Sequence, residues 1–200
     1  VRAAFEFARA HRRRKVTIVH KANVVRATDG LFLEEAKRVA QDFPEIQVDD
    51  ANIDEAVKAA VFGSFLYQGQ ICMSTERIVV DEKIADAFVA KFAAKSAELP
   101  MGDPMKNAAC VIGPMVAKES GPRINAMIED ALAKGAKLAC GGKAEGAVMP
   151  ATIVDHVKPG MKIYDEETFG PITTVVRVKA VDEAVAVAND TAYGLSAGVF

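Results

Sequence analysis

Two hundred residues, half of them apolar, provide chain for one domain or one and a half with a real core, and the net charge of -2 describes an ordinary aqueous surface. That balance gives no reason to expect a nucleic-acid partner, since the one dense basic run, Arg12-Arg13-Arg14-Lys15, is short and suits a solvated helix end. Cys72, Cys110 and Cys140 stand at unrelated spacings that make neither a disulfide framework nor a metal-ligand pattern, so a reducing, cytoplasmic setting and no metal site are expected.

In chain order, Val1, Phe5 and Ala8 fall on one stripe of a first helix, and the basic run follows at its carbonyl end, where positive charge meets the negative pole of the helix. Lys15 to Val19 reads as a strand. Thr28 or Asp29 then caps a helix bearing Leu31, Phe32, Val39, Ala40 and Phe43, ended by Pro44, and Ile46 to Val48 resumes as a strand. Helix, strand, helix, strand is the rhythm of a parallel α/β sheet. Ile53 to Leu66 is apolar on nearly every side and predicts a buried helix. Ile78 to Val80 is a short strand, after which Asp81 caps a helix with Ile84, Phe88, Val89 and Phe92 on one face. Prolines and glycines from Leu99 to Pro114 predict a connecting loop. Pro122 opens a helix that buries Ile124, Met127, Ile128, Ala131 and Leu132 and ends at Gly135. Strands are expected at 137–140, 151–154, 172–178 and 195–200, with a helix over 181–188 before the last. The whole predicts an α/β fold with a mainly parallel open sheet and flanking helices. No apolar run approaches a membrane span and no leader opens the chain, so no membrane partner is expected. The missing initiator methionine and the apolar finish at Phe200 suggest that both ends are cut.

Between the buried helix and the strand at 78–80 lies Gln68-Gly69-Gln70-Ile71-Cys72-Met73-Ser74-Thr75-Glu76-Arg77. Loops held by rigid elements are where reactive side chains sit, yet on pattern alone the ordinary reading of Cys72 is a small buried hydrophobe. Gln-Gly-Gln-Ile-Cys with Arg77 five residues on resembles the nucleophile motif of the NAD(P)-dependent aldehyde dehydrogenases, most of all the branch acting on aromatic aldehydes. The likeness runs from about Val48 to Phe200, through Asp50-Ala51-Asn52-Ile53-Asp54, Gly102-Asp103-Pro104, Ile112-Gly113-Pro114 and Gly141-Gly142-Lys143. It continues through Pro150-Ala151-Thr152-Ile153 and Glu166-Glu167-Thr168-Phe169-Gly170-Pro171 to Asn189-Asp190-Thr191-Ala192-Tyr193-Gly194-Leu195.

That resemblance implies that Cys72 attacks an aldehyde as a thiolate, with its own backbone N–H helping to hold the oxyanion. It implies that Glu167 accepts the nicotinamide ribose hydroxyls, that Phe169 packs beside that ring, and that the cofactor is NAD or NADP. A homo-oligomer is possible on the same ground. From the residues alone, Glu166 and Glu167 are equally a solvated turn and Phe169 a core aromatic. The family's general-base glutamate would fall near Arg38, which cannot accept a proton at neutral pH. No dinucleotide glycine fingerprint or phosphate loop occurs. Little or no turnover and weak cofactor binding are therefore expected of this chain.

The first residues resemble a second family. Phe5-Glu6-Phe7-Ala8-Arg9-Ala10, Lys15-Val16-Thr17, His20-Lys21-Ala22-Asn23 and Thr28-Asp29-Gly30-Leu31-Phe32 are similar to the decarboxylating isocitrate and isopropylmalate dehydrogenases. In that reading Lys21 assists proton transfer, but the substrate arginines, the catalytic tyrosine and most metal aspartates have no counterpart here. A lone Asp54 cannot sustain a hard-cation site. The chain thus reads as two segments, 1–48 and 49–200, joined near Val48-Asp49-Asp50 as a chimera or aberrant fragment. The alternatives are a non-catalytic α/β scaffold and a piece that works only with a partner supplying a nucleotide domain.

Overall fold

The structure, a computed structural model, describes residues 1–20 and 29–198. Their contacts divide the chain into two compact units, 1–57 with 197–200, and 58–196.

In the first unit, helix α1 (Arg2–Ala10) precedes strand β1 (Lys15–His20), helix α2 (Asp29–Ala40) and strand β2 (Gln47–Asn52), and helix α3 (Ile53–Phe65) begins there. β1 and β2 pair in parallel from Lys15 opposite Gln47 to His20 opposite Asn52. The α1 stripe buries Phe5 and Ala8 against Val39, Phe43 and Ile46, whereas Val1, expected on that stripe, is exposed at the helix cap. Phe5 and Phe43 stand 5.3 Å apart, and the Arg9 guanidinium covers the Phe43 ring at 4.2 Å. The basic run is exposed as expected, and α1 closes with Arg12 left-handed (φ 54°) and the Arg13 N–H donating to the Ala8 carbonyl at 2.7 Å.

The second unit is built on a sheet ordered β3-β6-β5-β4, from β3 (Arg77–Asp81), β4 (Lys137–Cys140), β5 (Thr152–Asp155) and β6 (Ile172–Val178). β3, β6 and β5 run parallel; β4 is antiparallel to β5. β5 and β6 are buried on both faces, as a continuous β-branched run predicts. Helix α4 (Glu82–Ala97), capped by the Asp81 carboxylate on the Lys83 N–H at 2.9 Å, stacks Phe92 with Phe65 and tilts Phe88 against Phe92. Helix α5 (Ser120–Ala133) packs Ile124, Met127, Ile128 and Ala131 into the larger apolar cluster with Val154, Ile172 and Val176. α6 (Lys162–Asp165) and α7 (Val181–Asn189) complete the unit. This is the α/β architecture expected, with three of the four strands parallel.

Several expectations differ in detail. α3 is not buried all round: Ile53, Val57 and Phe65 are covered, but Phe62 is 66% exposed, because only one stripe of the helix meets a core. Leu132 is likewise partly exposed, the α5 stripe being narrower than its sequence suggests. Residues 195–198 form no strand; Ser196, Ala197 and Gly198 offer little to pack, and 199–200 lie outside the described residues. α6 escaped sequence analysis because one turn is too short to show a period. No helix among the described residues is long and apolar enough to cross a membrane.

Candidate active site on the Cys72 loop

The loop takes its shape from the end of α3. A 3₁₀ turn, Leu66–Gly69, carries Tyr67 and Gln68 in the left-handed region (φ 55° and 59°), which reverses the chain. The returning strand is fastened to the last turn of α3: the Thr75 N–H donates to the Gly63 carbonyl at 2.9 Å and the Ser64 hydroxyl to the Thr75 carbonyl at 3.0 Å. The first bond satisfies a helix-end carbonyl that would otherwise lack a partner. Residues 70–73 project from that closure, and Cys72 is exposed at their tip.

The other two thiols sit differently. Cys110 donates to the Ile112 carbonyl at 3.1 Å, and Cys140 to the Ala151 carbonyl at 3.2 Å, both part-buried. Burial pushes the Cys140 thiol up from its ordinary pKa. A nucleophile must be reached by its electrophile, and of the three only Cys72 stands open.

The structure brings the Cys72 loop against the turn carrying Glu167 and Phe169. Gly69 (φ 65°) lies so close to Gly170 that a Cβ on it would fall 2.0 Å from the Gly170 carbonyl oxygen, so no side chain fits there. Gln70 bridges: its amide nitrogen donates to the Phe169 carbonyl at 3.3 Å while its oxygen accepts from the Val116 N–H at 2.9 Å. Glu76 accepts from the N–H groups of Thr168 and Phe169, both at 2.8 Å. Behind it the Thr173 and Thr174 hydroxyls, fully buried on β6, donate to the carbonyls of Thr75 and Glu76, both at 2.8 Å. Burial lifts the Glu76 carboxyl above its ordinary pKa, against the opposing pull of the two N–H donors.

Glu167 is exposed; Arg123 holds its carbonyl at 3.1 Å and that of Thr168 at 2.6 Å. Phe169 is half-buried with φ 45°, an uncommon conformation for a residue with a side chain. A surface carboxylate on a fixed turn, next to an aromatic ring, suits a pair of ribose hydroxyls, because it offers two acceptor oxygens. Arg77 plays a structural part: it donates to the Val187, Asp190 and Tyr164 carbonyls at 2.8, 2.9 and 2.5 Å and lies 4.0 Å over the Tyr164 ring. That ties β3 to the carbonyl end of α7, where a cation is favoured.

In the first unit, Arg38 on α2 is occupied by Glu35, at 2.7 and 2.6 Å, and Glu45 is bonded to Arg9 at 2.7 Å. Lys21 lies outside the described residues. Among the described residues no three His, Cys, Asp or Glu side chains are grouped to hold a metal ion. Sequence reasoning passed over Glu76 and Arg123. Glu76 left one signal, as the only carboxylate between Gln68 and Val80; Arg123 left none.

Residues 44–200 match the aldehyde dehydrogenase family, and residues 1–74 match the isocitrate/isopropylmalate dehydrogenase family. A salicylaldehyde dehydrogenase of Pseudomonas sp. (strain C18) is 67% identical over 157 residues, which are 78% of this chain and 32% of that protein. The crystal structure of a salicylaldehyde dehydrogenase from Pseudomonas putida G7, complexed with salicylaldehyde, superposes with a TM-score of 0.73 and 52% identity, covering 98% of this chain and 42% of that one. An NADP-dependent glyceraldehyde-3-phosphate dehydrogenase from Bacillus halodurans C-125, complexed with NADP, gives a TM-score of 0.69 at 28% identity over 92% of this chain and 38% of that one. The chain spans about a third of the length of the curated relatives it matches, at 32%.

Proposed function

Because this chain belongs to the aldehyde dehydrogenase family, we propose that it carries the nucleophile and part of the cofactor site of an NAD(P)-linked oxidation of an aromatic aldehyde to its carboxylic acid. The observation that carries this reading is the exposed Cys72 on a loop fastened, through Gly69, Gln70 and Glu76, to the turn bearing Glu167 and Phe169.

In this reading the Cys72 thiolate adds to the aldehyde carbon, forming a C–S bond while the carbonyl π electrons move to oxygen, and the Cys72 N–H donates to that oxygen. NAD(P), when bound, supplies the acceptor for the hydride leaving that carbon. Glu167 would hold the ribose by accepting its hydroxyls, and Phe169 would wall the ring side. Water then cleaves the thioester to acid and free thiol, a step that needs a base. By the family resemblance the base would fall near Arg38, whose guanidinium is always charged, and loss of positioned acid–base help costs about 10²–10⁴ in rate. The first step should therefore outrun the last.

Salicylaldehyde names in the relatives favour an aromatic aldehyde as substrate. The three free thiols support a cytoplasmic setting. The match of residues 1–74 favours a second reading of the first 48 residues as a piece joined from the isocitrate/isopropylmalate family, with Lys21 its proton-transfer residue. Mixing salicylaldehyde with NAD⁺ or NADP⁺ and following absorbance at the reduced nicotinamide tests the main reading. It predicts a burst of up to one equivalent per chain, then slow turnover, and no burst in Cys72→Ala; an equal signal from both proteins contradicts it.

A further inference from the structure

From the Glu167 carbonyl to the Phe169 carbonyl, every backbone polar group of the 167–169 turn is gripped. Glu76 takes the Thr168 and Phe169 N–H groups, one oxygen each. Arg123 takes the Glu167 and Thr168 carbonyls, one guanidinium nitrogen each, and Gln70 takes the Phe169 carbonyl. The two charged residues come from separate elements, the foot of β3 and the first turn of α5. A carboxylate has only acceptors, so it alone can meet two adjacent donors, and a guanidinium is the fork that meets two adjacent carbonyls. The need for so many bonds is visible in the backbone, because Phe169 is held at φ 45°. A free turn would leave that region, carrying Glu167 and the Phe169 ring with it.

We propose that Glu76 and Arg123 are positioning residues that fix the 167–169 turn, so that Glu167 and Phe169 meet the nicotinamide ribose in one arrangement. This rests on the cofactor role proposed above for those two side chains. Glu76→Gln separates positioning from mere support. The amide keeps the carboxylate's shape, so the packing around it is preserved. Its NH₂ nevertheless faces an N–H donor, so one of the two grips on the turn is lost.

The test compares the 200-residue chain with its Glu76→Gln and Arg123→Gln variants by thermal midpoint, by amide hydrogen exchange of the 166–171 segment, and by titration with NAD⁺ and NADP⁺. Glu76→Gln should keep its midpoint while exchange at Thr168 and Phe169 rises about tenfold, and nucleotide affinity should fall by a similar factor, as expected for one charge-assisted hydrogen bond. Arg123→Gln should loosen the same segment. Unchanged exchange in 166–171, or faster exchange throughout with a lower midpoint, overturns the proposal. If the variants loosen the segment but the wild-type chain binds neither nucleotide, the brace stands and the cofactor reading of the turn falls.

Discussion

The two units keep their strands together in different ways. In the unit of residues 1–57, the described core is a small cluster around Phe5, Val39 and Phe43 beside a single parallel strand pair. Its rim is tied by ion pairs, Arg2 with Asp42 and Arg9 with Glu45, whose side chains are about half exposed. In the unit of residues 58–196, four strands share a sheet whose central members are covered on both faces. It too has surface ion pairs, such as Lys143 with Glu129, but one of its polar ties runs inward: Arg177 on β6, 19% exposed, reaches Asp155, 6% exposed, at 2.7 Å. Two bonds to Asp155 and one to Asp86 raise the Arg177 pKa above its ordinary value. The contrast teaches where precision is affordable: the hydrogen bonds that shape the Cys72 loop and the Glu167 turn all lie in the unit with the larger core.

The sharpest way to break that contrast is Phe92→Ala. Phe92 is fully buried and stacks with Phe65, the last residue of α3 before the loop turns, at 6.1 Å. Its loss should cost about 3–5 kcal/mol in urea unfolding and raise the labelling of Cys110 and Cys140 relative to Cys72. Phe43→Ala removes the centre of the smaller cluster; about 3 kcal/mol should be lost from the unfolding of that unit, with the cysteine labelling pattern unchanged. Labelling that follows Phe43 as it follows Phe92 would erase the distinction. The smallest effect should come from Arg9→Ala. Its ion pair with Glu45 is half exposed, so the charge contributes little, and that part should vanish in about 1 M salt. What remains after salt would combine the stacking of Arg9 on Phe43 with its bond to the Asp42 carbonyl at 3.1 Å.

Much of this was legible in the sequence because period and punctuation are local. The Phe88-Val89-Phe92 face of α4, the Asp81 cap, Pro122 opening α5 and Gly135 beyond its end are read directly. The all-round burial expected of α3 was not, since composition cannot say which side of an apolar helix has a partner. The same limit governs the site. The Gln-Gly-Gln-Ile-Cys motif marks Cys72, and the Glu-Glu-Thr-Phe-Gly-Pro motif marks Glu167 and Phe169, but nothing along the chain joins Glu76 to an N–H some 90 residues later. Arg123 reads as a solvated helical arginine until its two carbonyl partners are seen.

The central claim is that one thiol, Cys72, is presented for attack while the other two are bonded into the fold. Peptide mapping by mass spectrometry after substoichiometric treatment of the native chain with a thiol-reactive analogue of salicylaldehyde measures this directly. The account predicts that the label falls on Cys72, with Cys110 and Cys140 modified only after unfolding. Equal labelling of all three in the native chain, or none on Cys72, would contradict it.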